Sequence, residues 1–421
     1  MELNLAALVS ISLVSLAILV SLLSRKKRQQ QPPGPRCLPF IGNLLDLLTS
    51  EPHVAFRDLA RKHGPVMYLR LGHVDTVVIS SPATAQQVLQ DSTINFASRP
   101  RLLTPEILGY GGTDIAFAPY GPYWRTLRKL CAVELLSARK VRQFATIRDR
   151  ETLAIVASVT AAAAAGKTVN LTRLFLTCAN EITAKVVFGE GIKDEGDLEF
   201  PIGTKTVKAI ILDFFTGGTD PTASTVEWIM SELMRYPEIM AKVQEEVRRT
   251  LDNKSPQDHE SHMHELHYMK LVIKEVLRLH PPLPLLLPRV CRETCDIGGF
   301  KVLEGYRVIV NVWAIGRDPE HWQDAEVFRP ERFKDFVEDY KGIQFEYLPF
   351  GSGRRMCPGG NTFGMAIVEL MLARLLYYFD WKLPVGVRVD ELDMDTIGGI
   401  PMKRRSSLHL RATPYNVPTN I

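Results

Sequence analysis

The stretch PFGSGRRMCPG, residues 349–359, constrains this chain more than any other. It places one cysteine, Cys357, in a glycine-rich loop, and an apolar, helix-forming run follows over residues 363–378. Glycine lets a backbone turn tightly and approach a flat ligand closely. Arg355, two residues before Cys357, brings a fixed positive charge, which favours a thiolate over a thiol. A thiolate in such a loop can serve as an axial ligand of haem iron. Taken alone, Cys357 reads first as a buried structural cysteine, because free cysteine is among the most buried residue types. The spacing F-x-x-G-x-R-x-C-x-G, over Phe350, Gly353, Arg355, Cys357 and Gly359, reverses that preference.

The rest of the chain fits a globular body behind a membrane anchor. Residues 3–23 carry no charge and are long enough to span a bilayer as a helix. Arg25, Lys26, Lys27 and Arg28 follow at once, and positive charge on that flank keeps it cytoplasmic. A cleaved signal peptide is the alternative, but it carries its positive charge before the apolar run. The domains are thus an anchor (1–24), a basic and proline-rich hinge (25–39) and one body (40–421). Six cysteines scattered over 421 residues are not a disulfide framework and fit a reducing compartment. The net charge of +4 does not suggest a nucleic-acid partner.

Read in order, the body is mainly α with small β-sheets. Residues 53–63 read as a helix, 66–71 and 76–80 as strands, and 82–90 as helix again. Residues 120–135 read as a helix with Trp124 and Arg128 four apart on one face. Two helical stretches follow, 139–165 and 171–188. A long helix is then expected over 205–236, although its middle, GGTDPT, is poor helix chemistry. An interior proline alone costs about 3 kcal/mol. Such local conflict often marks a functional site, here Thr219, Asp220 and Thr222. Residues 268–280 read as a helix with Glu275 and Arg278 on one face. Residues 295–311 read as strands joined by a Gly298-Gly299 turn. His259, His262, His264 and His267 suggest either a zinc site or, more simply, a solvated loop.

The cysteine loop, with Glu275-Val276-Leu277-Arg278 and Pro330-Glu331-Arg332-Phe333 upstream of it, resembles the cytochrome P-450 superfamily. The resemblance runs over nearly the whole chain and is closest to plant microsomal members. Residues 252–259 and 291–300 are similar to those of grass oxidases of pimaradiene-type diterpenes. The resemblance implies haem b, with Cys357 as its axial ligand and Phe350, Gly353, Arg355 and Gly359 around it. It implies that Trp124, Arg128 and, less directly, Arg289 reach the haem propionates. It also implies that Glu275, Arg278 and Arg332 form a buried structural triad. The activity implied is monooxygenation of a lipophilic substrate, with electrons from NADPH through a reductase. The reductase would dock on a basic face that includes Arg125, Lys129, Arg139 and Lys140. Asp220 would feed protons, helped by Thr219 and Thr222. The location implied is the endoplasmic reticulum membrane, single-pass, with the body cytosolic.

The chain departs from that pattern in three places. The family usually has threonine where Pro221 stands, so impaired oxygen activation is expected, or chemistry such as isomerisation or dehydration. Residues 189–200 leave no room for even one long helix, at ~1.5 Å rise per residue, where the family builds the roof of its substrate pocket. An open distal face with exposed apolar surface is therefore expected, together with the rival reading of a catalytically impaired haem protein. Finally, Gly360-Asn361 adds one residue before the next helix.

Overall fold

The computed structural model describes residues 30–48, 50–189, 203–336, 340–398 and 401–415. The proposed anchor, the basic start of the hinge (25–29) and the short connector at 190–202 lie outside them. Among the described residues no helix is long and apolar enough to cross a membrane.

The fold is mainly helical with small sheets. Strands β1 (Val66–Leu71) and β2 (Val74–Ile79) form an antiparallel hairpin. Helix α1 is Pro122–Glu134, followed by α2 (Ala145–Ala164) and α3 (Leu171–Phe188). Next come α4 (Thr204–Gly218), α5 (Asp220–Arg235), α6 (Pro237–Leu251) and α7 (His267–Leu279). Strands β3 (Arg289–Val290) and β4 (Arg307–Val310) complete one four-stranded sheet, in the order β1-β2-β4-β3. Helix α8 (Met365–Tyr378) closes the bundle. The apolar faces of α2, α3, α5, α6, α7 and α8 meet in one core, and α5 is buried without interruption from Thr222 to Met234.

The single helix expected over 205–236 is two helices. The chain breaks at Thr219, so Pro221 falls in the first turn of α5. There its missing N–H is no loss, and its fixed φ suits a helix start. The sequence conflict is real, but it ends one helix and begins another. The stretch 82–90 likewise divides into a short helix (Pro82–Gln86) and a π turn (Gln87–Asp91). The histidine loop is a 3₁₀ stretch, Pro256–Glu265. His259 is buried in it against Tyr377 and Tyr378, and burial pushes its imidazole down to about 4. His262 instead pairs with Glu265. The solvated-loop reading therefore fails for His259, and none of His259, His262, His264 and His267 belongs to a group of described residues that could hold a metal ion.

Glu275 locks α7 to the segment that leads into the cysteine loop. Its carboxylate takes both Nε and Nη2 of Arg278, at 2.7 and 2.8 Å, and Nε of Arg332 at 3.0 Å. The backbone N–H of Arg329 adds a fourth bond at 2.8 Å. Glu275 and Arg278 are fully enclosed. Both arginines spend their remaining N–H groups on the carbonyls of residues 316 to 327. Removing one partner from a buried ion network strands the others, at about 3–5 kcal/mol. Glu275→Ala is expected to lower the unfolding free energy from urea titration by that much, with a matching fall in midpoint, and Glu275→Gln to recover part of it. A midpoint within error of wild type for Glu275→Ala would contradict this account.

Candidate haem-thiolate site

Cys357 stands at the end of a tight loop. Its backbone N–H donates to the Phe350 carbonyl at 2.9 Å, which closes the loop on itself. Gly353 adopts φ +70°, and a Cβ there would lie 1.9 Å from the Leu89 carbonyl oxygen. That glycine is required by contact with the Gln87–Asp91 turn rather than by a ligand. A Cβ on Gly360 would meet the Phe350 ring at 2.2 Å. Gly359 packs against Leu136. The residue added at Gly360-Asn361 is taken up by a π turn, Gly360–Gly364.

The Cys357 thiol is exposed at its own surface, yet the surrounding protein limits its solvation. Burial raises it above the ordinary thiol value, while the N–H groups of Gly359 and Gly360 and the charge of Arg128 pull it down. This corrects the expectation for Arg355, which does not face the sulfur. Arg355 is buried and donates to the carbonyls of Ala97, Ile115 and Ala118. Its guanidinium lies 4.1 Å from the centroid of the Trp124 ring. The cation whose charge bears on the sulfur is Arg128, held nearby by its bond to the carbonyl of Met356.

Four guanidiniums converge beside the loop. Arg289 donates to the carbonyls of Phe96 and Ser352, and its Nε is buried with no partner. Arg99, which the sequence did not single out, donates to the carbonyls of Ala116, Leu287 and Pro288. Burial lowers Arg355 to about 9 and Arg289 to about 10; Arg289 and Arg128 add repulsion on Arg355, and Asp114 counters it only in part. Buried cations so poorly matched by carboxylate are costly. A flat ligand carrying carboxylates would supply the missing charge, so the arginines and Cys357 together fit haem. Trp124 does not reach outward from this group. Its indole N–H donates to the Ile115 carbonyl at 2.9 Å, and its ring backs Arg355.

The break at Thr219 presents different chemistry. Asp220 forms an ion pair with Lys403 at 2.8 Å. Thr219 Oγ1 is buried without a partner, and Thr222 is buried near Gly364. Beyond α4 lies an apolar groove lined by Ile107, Leu108, Tyr110, Ile211, Leu212 and Phe215, with Ile107 64% exposed.

An accessible cysteine thiol beside a nest of buried arginines defines a haem-thiolate type of site. The chain belongs to the cytochrome P450 family, whose sequence model matches residues 32–202 and 201–408. It is 50% identical to 9-beta-pimara-7,15-diene oxidase of Oryza sativa subsp. japonica, over 99% of this chain and 98% of that one. It is also 50% identical to cytochrome P450 99A2 of the same organism, over 99% and 94%. That second alignment spans 503 positions, against 421 residues here, so the relative carries stretches without counterpart in this chain. A zebra fish cytochrome P450 solved with progesterone superposes with a TM-score of 0.76 at 23% identity, over 86% of this chain and 99% of that one. The chain is an oxidoreductase of the monooxygenase class, with haem as its cofactor.

In the haem-free chain, alkylation of Cys357 is expected to be slow at neutral pH and to accelerate only above the usual thiol range. Arg128→Leu, which removes the one cation acting on the sulfur among the described residues, is expected to shift that alkylation profile to still higher pH. Iodoacetamide labelling read by peptide mass spectrometry measures both; an unmoved profile in the variant would count against the role given to Arg128.

Proposed function

We propose that the chain is a membrane-anchored monooxygenase acting on a lipophilic diterpenoid, with electrons reaching it from NADPH through a reductase. The observation that carries the reading is the juxtaposition of Cys357 with Arg99, Arg128, Arg289 and Arg355. The diterpene-oxidising name of its relative supports the substrate class. When bound, haem supplies the oxygen-activating chemistry. Cys357 would hold its iron, and the four arginines its carboxylates. Asp220, ion-paired with Lys403 beside the break, would serve with it in delivering protons there. The buried hydroxyls of Thr219 and Thr222 stand where Pro221 offers none. The exposed cations Arg125, Lys129 and Arg139 suit an acidic reductase surface; Lys140 is drawn aside by Glu134 at 3.9 Å. The apolar run at residues 3–23 supports a single-pass anchor in the endoplasmic reticulum membrane.

A second reading keeps the haem but limits the catalysis. It is supported by the shortness of the chain relative to its relatives and by the exposed side chains of Leu103, Ile107, Leu108 and Leu212. In it the helices that roof the substrate pocket are lacking, and substrate is held poorly or admitted with water. Isomerisation or dehydration without oxygen insertion belongs to the same branch.

The shared premise is tested first, and catalysis after it. The reduced, haem-loaded protein is expected to give a thiolate-type Soret band with carbon monoxide, and Cys357→Ser to lose it. No such band in the wild type would sink both readings. Turnover of 9-beta-pimara-7,15-diene with reductase then tests catalysis. Pro221→Thr restores a hydroxyl in a first helical turn that tolerates it, and is expected to raise product formed per peroxide released. An unchanged ratio would show that position 221 does not limit oxygen activation.

A further inference from the structure

Residues 115–118 form a short irregular segment whose peptide groups are divided between two kinds of partner. On one side, the N–H groups of Ile115 and Ala116 donate to Asp213 Oδ2 at 2.8 and 3.2 Å. Those of Phe117 and Ala118 donate to Asp114 Oδ1. On the other side, the carbonyl of Ile115 accepts from Trp124 and Arg355, that of Ala116 from Arg99, and that of Ala118 from Arg355. Asp114 closes its own local turn. Asp213 comes from α4, nearly a hundred residues away, and sits alone among apolar neighbours: Ile210, Ile211, Leu212, Phe214 and Phe215.

We propose that Asp213 is a positioning residue: its carboxyl latches residues 115–118 to α4, and the carbonyls of that segment in turn hold Arg99, Arg355 and Trp124 in the arginine cradle. The latch joins the distal helix to the cofactor side of the molecule through one run of peptide groups. A second tie runs parallel to it, from Thr206 on α4 to the Tyr123 hydroxyl at 3.0 Å and on to the Thr113 carbonyl at 2.9 Å. With Asp213 gone, the N–H groups of Ile115 and Ala116 lose their acceptor, and an unpaired buried donor favours the open segment.

The latch responds to pH with a definite sign. Burial, and then repulsion from Asp114, push the Asp213 carboxyl up to about 7. The groups that bear on it are Asp114 and the two N–H groups, and Cys131 on α1 feels its charge in return. Opening the segment would expose the carboxyl to water and return it toward the ordinary carboxylate value. The closed form therefore binds the proton more tightly than the open one, and raising the pH between those two values favours opening.

The latch is independent of the catalytic reading, because it is measured in the haem-free full chain by hydrogen–deuterium exchange. Corrected for intrinsic rates, protection at Ile115 and Ala116 is expected to fall at least about tenfold between pH 5 and pH 7.5. Asp213→Asn, uncharged throughout, is expected to give a profile flat in pH. Asp213→Ala is expected to lose the protection at both pH values, and to bind added haemin several-fold more weakly, while residues 275–278 stay protected. Wild-type protection independent of pH, or wild-type protection in Asp213→Ala, would overturn the proposal. Should the alanine variant fail to fold, the comparison of wild type with Asp213→Asn decides it alone.

Discussion

The buried carboxylate of Glu275 is the interaction on which the remaining structure depends. It gathers two guanidiniums and a backbone N–H, and those guanidiniums collect the carbonyls of residues 316 to 327. A segment with little regular structure is thereby held as firmly as a helix. Its far end is tied as well, where the Tyr347 hydroxyl donates to the Lys274 carbonyl at 3.1 Å. Two residues later the cysteine loop begins. The sulfur of Cys357 thus takes its position from α7, through a network that a folded chain cannot half-satisfy.

In that lattice one carboxylate meets two guanidiniums, whereas in the cradle four guanidiniums converge and Asp114 counters them only in part. Arg99, Arg128, Arg289 and Arg355 satisfy their N–H groups largely on backbone carbonyls, which provide hydrogen bonds but no net negative charge. One set of arginines is bonded directly to a carboxylate, and the other, among the described residues, is bonded only to carbonyls. The first explains stability. The second explains why a ligand with carboxylates belongs there, since its binding would relieve a repulsion present in the protein without it.

Much of this was legible in the sequence because the informative residues are close together. Glu275 and Arg278 are three apart, Trp124 and Arg128 four apart, and the cysteine loop is one continuous motif. What the sequence hid arises from convergence. Arg99 and Asp213 meet at one residue, Ala116, whose carbonyl and N–H they bind from positions more than a hundred residues apart. Asp213 did carry a signal, as a lone acid inside an apolar helical run, where a charge is costly unless something pairs with it. The helix break was misread for a related reason. Proline within a helical pattern and proline at the start of a second helix have the same local sequence, and only packing distinguishes them. Arg355 was assigned to the sulfur by proximity along the chain, whereas its side chain turns to carbonyls of the loop before α1.

The π turn at Gly360–Gly364 has a consequence for how this region can change. One extra residue between the sulfur and α8 is absorbed there, and α8 itself packs against α2 and α6. On the other side of the sulfur no such slack exists. Gly353 touches the Leu89 carbonyl, and the Cys357 N–H is committed to Phe350. Length variation is therefore tolerated after Gly359 and refused before Cys357, so the loop is a rigid socket on one flank and an adjustable joint on the other.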